Sequence, residues 1–224
     1  MDYSFQITFT DIDRMIFNSY CMVAESVAKF VGRHCEVVVH SLEELDHSAV
    51  KVINGNISGR CTGAPLTNLC FDMIKDSQHT NADIIGPYYS LSIGRKTIRS
   101  ITTIIRGENN RIIGLLCFNM DLSCPFDSLM QEYLAYSDAN PAAVSEIYPH
   151  SVEELIHHML NEAVASANEL KGVSPLDKNL TAIQTMMEKG LFSFKGAVDI
   201  VAQELGISRT TVYNYLRDPR INQD

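Results

Sequence analysis

The sixteen residues VAQELGISRTTVYNYL, 201–216, constrain the fold of this chain more than any other stretch of it. Two helical patterns meet at Gly206, and two helices crossing at a tight turn dictate which side chains fit where. Val201 and Leu205 are four apart on the first helix. Val212 and Leu216 are four apart on the second, so each pair shares one face. Ala202 falls where the helices approach, and a larger side chain there would wedge them apart. Gly206 can adopt φ > 0 without penalty. Ile207 closes the core just past the turn, and Ser208 is placed to cap the second helix. Tyr215 is expected to be partly buried. That leaves Arg209, Thr210, Thr211, Tyr213, Asn214 and Arg217 on the outer side.

This outer side has a definite chemistry. The first turn of a helix offers free backbone N–H groups that suit a phosphate. Arginine and asparagine match guanine and adenine edges in the major groove, and threonine offers a hydroxyl or a methyl to thymine. Lys195, ahead of the first helix, suits a phosphate contact. The expected DNA-contacting set is therefore Lys195, Ser208, Arg209, Thr210, Thr211, Tyr213, Asn214 and Arg217. A plain helical hairpin packed on its own domain is the alternative, as is a sensor or interaction protein whose hairpin has lost DNA binding. Charge sharpens the question, because the formal net charge is −9. From Ser174 onward six basic residues balance six acidic ones, so the deficit lies wholly in the preceding residues. An acidic body repels duplex DNA at long range, so contact must come from a local surface on the neutral end. One such module touches few base pairs, which favours a homodimer, paired through the helices expected near 11–31 and 151–170.

Ahead of this unit the pattern is mixed. Asp11 or Asp13 could cap a helix running to Val31 and stopped by Gly32. CEVVVHSL (35–42) and SAVKVINGNI (48–57) read as strands, the second broken by an Asn-Gly turn. LTNLCFDMI (66–74) reads as a short helix. GPYYSLSI (86–93), KTIRSITTIIR (96–106) and RIIGLLCFNMDL (111–122) read as three more strands, the last two joined by the polar tetrad GENN. The expectation is an α+β fold: an antiparallel sheet of about five strands with helices on one side. Residues 139–149 resemble a connector. SVEELIHHMLNEAVASANEL (151–170) is helical behind a Ser151–Glu154 capping box. GVSPLD (172–177) marks a break, and TAIQTMMEKG (181–190) is a helix with a glycine stop. This divides the chain into an α+β domain over 1–138, a connector and linker helix over 139–175, and an all-α helix-turn-helix domain over 176–224.

Other functions find little support. No apolar run is long enough to cross a bilayer, and the N-terminus lacks the pattern of a secretory signal, so a cytoplasmic protein is expected. Six cysteines at 21, 35, 61, 70, 117 and 124 match no zinc spacing, and reduced, buried thiols are expected. His157 and His158 are adjacent and diverge on a helix, while INGNISGRCTG lacks the lysine of a phosphate-binding loop. No catalytic residue, metal or cofactor is expected. The front domain carries a compact set of polar residues that could line a small-molecule pocket: His40, Asn54, Asn56, Ser58, Arg60, Thr62, Thr67 and Asn119. Turn formation by the two asparagines and a hydrogen-bonded structural role for His40 remain open, and Arg60 could bind an anion or pair with Asp72.

SFKGAVDIVAQELGISRTTVYNYLRD (193–218) resembles the C-terminal helix-turn-helix of the YheO-like transcriptional regulators. CEVVVHSL, VINGNISGRCTGAPLTNL (52–69) and RSITTIIRGENNRIIGLLCFNMD (99–121) are similar to segments of that family's PAS-like domain. The resemblance covers about residues 15–218. It implies a dimeric bacterial transcription factor with an N-terminal PAS-like domain, double-stranded DNA as partner and a small-molecule effector as a further candidate. Ala64 departs from the pattern, standing where an acidic or polar residue precedes the proline.

Overall fold

The computed structural model describes residues 5–80, 82–92, 94–139, 146–170, 172 and 174–218. These fall into two compact units, divided between residues 142 and 143. The first unit begins with helix α1, Asp11–Val31. Its cap is Thr10 rather than either aspartate. The Thr10 hydroxyl accepts from the Asp13 N–H, and the Asp13 carboxylate accepts in return from the Thr10 N–H. This reciprocal arrangement uses an aspartate where a glutamate is more usual.

Five strands follow: β1 (Cys35–Ser41), β2 (Ala49–Ile53), β3 (Ile84–Leu91), β4 (Thr97–Arg106) and β5 (Ile112–Asp121), with helix α2 (Asn68–Thr80) between β2 and β3. All pairs are antiparallel, in the order β2-β1-β5-β4-β3. The GENN link turns on Asn109 and Asn110, both in the left-handed region. Helices cover both faces of the sheet, not one as expected. Strand side chains alternate between faces, so Val37 and Val39 pack with Phe17, Ala24 and Ala28 of α1. Val38 packs instead with Cys70 and Ile74 of α2. This explains why every residue of β1 is buried, and why its valine run shows no polar alternation.

Asp13 does more than close the α1 cap. It is fully buried, pairs with Arg111, and accepts from the Glu108 N–H at 2.7 Å. A Cβ on Gly107 would stand 2.0 Å from its Oδ1, so this turn needs a glycine. Burial works to raise the carboxyl pKa. The backbone donors of Thr10 and Glu108 and the Arg111 guanidinium together outweigh it and hold the group well below the usual carboxylate range.

Helix α3, Phe126–Ala139, has no counterpart among the sequence expectations. Its Glu132 accepts from the Arg33 N–H, and its Tyr133 hydroxyl donates to the Val31 carbonyl, fastening it to the end of α1. The outer face of α1 is left uncovered by the described residues of the unit. Ile12, Met15, Ser19, Met22, Ser26 and Phe30 recur every three or four residues along it. Met15, Met22 and Phe30 are 72%, 65% and 84% exposed. The Ser19 and Ser26 hydroxyls donate to carbonyls one turn back, which leaves the stripe apolar.

The second unit is built from α4 (Val152–Glu169), α5 (Pro175–Glu188), α6 (Ala197–Glu204) and α7 (Arg209–Leu216). Helix α4 falls in the range read as a linker, yet Ile156, Leu160, Ala163 and Ala167 share one core with Ile183, Met186, Leu191, Val201 and Val212. The core-facing stripe of α4 is thereby taken by its own unit. The expected capping box is only half made. Ser151 accepts from the Glu154 N–H, but Glu154 accepts from the His150 N–H. Helix α5 starts six residues before the expected position, because Ser174 caps it and Pro175 takes the first helical place, where no N–H is needed. Of the expected connector over 139–149, residues 140–145 lie outside the described residues.

Candidate nucleic-acid interface and sensor pocket

Helices α6 and α7 meet as the sequence requires. Val201, Ala202 and Val212 are buried, with Leu205, Ile207 and Leu216 packed against the same core. Gly206 turns the chain at φ +63°. Space around it is open, with nothing within 4 Å of a built Cβ, so the backbone conformation alone selects glycine there. Ser208 caps α7, accepting from the Thr211 N–H at 3.0 Å, and its Oγ lies 2.8 Å from the Thr211 hydroxyl. These two residues hold the helix start. Thr210, Tyr213, Asn214 and Arg217 are exposed on α7, as is Lys195 ahead of α6. Arg209 is 63% exposed and reaches back to α6, where its Nε sits 2.8 Å from Asp199 Oδ1. Sequence reading missed this acidic neighbour, although positions 199 and 209 lie on the two helices that the turn folds together.

A second site lies between the sheet and α2. Antiparallel register sets Tyr88 opposite Ser100, Ser100 opposite Asn119, and Asn119 opposite Glu36. All four share one face, forming a polar row across four strands. Ser100 donates to the Asn119 carbonyl oxygen at 2.7 Å, and the Asn119 amide donates to Glu36 at 2.8 Å. The Ser58 N–H and hydroxyl donate to the other Glu36 oxygen. This buried carboxylate thus orders the 58–60 loop. Beside the row opens a cavity of about 410 Å³, lined by Arg60, Thr67, Cys70, Tyr88, Cys117 and Asn119 among others. That volume suits a small molecule.

Of the residues expected in a pocket, Ser58, Arg60, Thr67 and Asn119 line it. His40 is fully buried, with its Nε2 3.4 Å from Arg60 Nη1. Arg60 turns to this histidine and makes no ion pair with Asp72. Asn54, Asn56 and Thr62 are not brought to the cavity. Asn54 sits at φ +57° and donates to the carbonyls of Gly32 and Cys35, a turn-holding role, while Asn56 is exposed. Burial, reinforced by Arg60, depresses the His40 pKa to about 4, so its imidazole is neutral near pH 7. The neighbouring Cys117 thiol, with the Thr67 hydroxyl and Arg60, outweighs burial and lowers the Cys70 thiol below its ordinary range. Cys117 is raised in turn. Glu36, Cys70, Cys117, Tyr88 and Ser100 were missed by sequence reading. Strand parity could have placed Glu36 and His40 on one face, but not the pairing of distant strands.

One unit with a five-stranded antiparallel sheet between helices and another carrying a helix-turn-helix define a class, the PAS-like regulators of transcription. Among the described residues no helix is long and apolar enough to cross a membrane. Within the class the chain belongs to the YheO-like family: the model for the YheO-like PAS domain matches residues 10–135, and a helix-turn-helix domain model matches residues 152–217. It is 35% identical over 216 residues to an uncharacterized protein of Haemophilus influenzae, covering 96% of each chain. It is also 35% identical over 208 residues to YheO of Escherichia coli K12, covering 93% of this chain and 85% of that one. With the transcriptional regulator DauR of Pseudomonas aeruginosa it shares 27% identity over 207 residues, covering 89% and 92%.

Proposed function

We propose that this protein is a homodimeric transcription regulator that reads a near-palindromic operator with α7 in the major groove, and that a small polar effector in the pocket beside Asn119 and Arg60 tunes that binding. The observation that carries the reading is the division of α7. Val212 and Leu216 pack on the core, while Arg209, Thr210, Tyr213, Asn214 and Arg217 stay exposed. Asn214 suits adenine and the arginines suit guanine or phosphate. First-turn N–H groups not used by the Ser208 cap are available to a phosphate, with Lys195 as a further phosphate contact. Two copies double the base pairs read, at half-sites about one helical turn apart. The exposed stripe on α1 supplies a surface for pairing. It lies along a helix of 21 residues, about 30 Å long. An effector need shift operator affinity by only about 1–3 kcal/mol to act as a switch.

The test is selection of bound duplexes from a random pool, followed by anisotropy titration of the enriched sequence across a salt series. A palindromic consensus bound by two chains is expected. Failure to enrich any duplex at low salt would favour the protein-interaction reading instead. For the pocket, a thermal-shift screen of amino acids and other polar metabolites should find a stabilising compound whose effect is lost on Asn119→Leu.

A further inference from the structure

The strands and α2 bring together three residues whose positions in the sequence give no sign of a shared task. One ring nitrogen of His40 and the sulfurs of Cys70 and Cys117 lie within 4.8 Å of one another, and all three residues are buried. His40 comes from β1, Cys117 from the neighbouring β5, and Cys70 from the first turn of α2 above them.

We propose that His40, Cys70 and Cys117 form a three-ligand site for a thiophilic d10 cation, Zn2+ or Cu+, with one coordination position open to the neighbouring cavity. Two sulfurs and an imidazole are the donor set such ions select, since soft thiolates favour zinc and copper(I) over magnesium or calcium. In a tetrahedral zinc site these donors stand about 3.5–3.8 Å apart, so the present cluster closes on an ion with side-chain adjustments of an ångström or less.

The surroundings support the assignment. The Ser48 hydroxyl is directed to the Ala64 carbonyl at 3.4 Å and its Oγ lies 2.9 Å from His40 Nδ1, an arrangement that favours the ring proton on Nδ1. Nε2 is then a bare acceptor. Fixing the tautomer of a histidine ligand through its other nitrogen is what an outer shell of a metal site does. The Thr67 and Thr102 hydroxyls donate to Cys70 and Cys117, holding each sulfur in place. Arg60 reaches Nε2 from the cavity side and must withdraw as the ion enters. The cavity is lined by both cysteines, which gives the ion an entry path and leaves room for an N, O or S donor of a small molecule as fourth ligand.

The inference rests on the pocket being a binding site, and its readout is the ion itself, not DNA, so the regulator reading and this one can fail separately. The full chain, reduced and stripped by chelation, is titrated without oxygen with Co2+ as a spectroscopic stand-in for Zn2+. In a parallel arm Cu+ is titrated against a chromophoric chelator. The expected result is one ion per chain, with thiolate-to-cobalt charge-transfer bands of two-thiolate intensity that vanish on adding Zn2+, or one Cu+ withdrawn from the chelator. Cys70→Ser and Cys117→Ser each abolish binding, whereas Cys61→Ser and Cys124→Ser leave it intact. Ser48→Ala, which keeps every ligand but frees the ring, weakens binding about 10- to 100-fold. A folded wild-type chain that shows no thiolate bands and withdraws no Cu+ would overturn the site. So would an ion that stays bound when Cys70 and Cys117 are both serine.

Discussion

The ion pair between Arg209 and Asp199 offers a sharp test of the proposed DNA surface. Both side chains are more than half exposed, and their closest atoms are 2.8 Å apart. In bulk water such a contact is worth about 1.5 kcal/mol by Coulomb's law. Side-chain entropy and salt reduce exposed pairs to about 0.2–1 kcal/mol. Asp199→Asn should therefore leave folding almost unchanged while releasing Arg209. If Arg209 must leave Asp199 to reach a phosphate or base, removing the tie strengthens operator binding by roughly 1.5- to 5-fold. Loss of a negative charge facing the phosphates adds to this at low salt. Arg209→Ala should weaken binding by about 1–3 kcal/mol if the guanidinium reads guanine, or lower the salt slope by about one if it holds a phosphate. In the double variant Asp199→Asn with Arg209→Ala, the release component disappears. Fluorescence anisotropy across a salt series, with the four proteins on one operator, separates these terms. Operator binding that weakens in Asp199→Asn, with thermal stability unchanged, would refute the placement of Arg209 at the interface.

Other outcomes follow from the packing. Gly206→Ala should cost about 1–2 kcal/mol from the positive φ alone, since the space is open. Ala202→Leu should cost about 1–3 kcal/mol by overpacking, both read by urea unfolding. Ile156→Ala should destabilise the second unit by about 2–5 kcal/mol, a loss that a helix serving only as a linker would not show. Met22→Asp on the outer stripe of α1 should raise the dimer dissociation constant roughly 30-fold or more by sedimentation; an unchanged dimer would exclude that stripe. The Asp13 carboxyl is depressed in the folded state, so its contribution is present above the ordinary carboxylate pKa near 4 and fades as pH falls below it. Asp13→Asn should lower the melting temperature at pH 7 and flatten its decline in acid.

The helix-turn-helix was legible because its rules are local. A turn glycine, a small residue at the crossing and a capping serine sit within a dozen positions, and their neighbours decide their fates. The strands were legible for the same reason. The cover on the sheet was not. A valine run with both faces buried looks the same whichever side the helices take, so placing them all on one side was wrong. Helix α3 carries a helical spacing in Phe126, Leu129, Met130, Tyr133 and Leu134. The pocket was half legible. Arg60 and Asn119 stood out as polar residues in apolar surroundings, and Asn54 did too, but a turn has the same demand for asparagine. Glu36, Cys70 and Cys117 become partners only through strand pairing and the seating of α2, relations that no short window of sequence contains.

The polar row across the sheet has a consequence for how such proteins diversify. Successive strand residues look in opposite directions, so positions 100, 117 and 119 answer to the cavity while 37, 39, 105 and 116 answer to the helix beneath. Chemical taste and mechanical frame are thereby written on alternate letters of the same strands. A lineage can rewrite one set while leaving the other intact, relining the cavity without having to reinvent its scaffold.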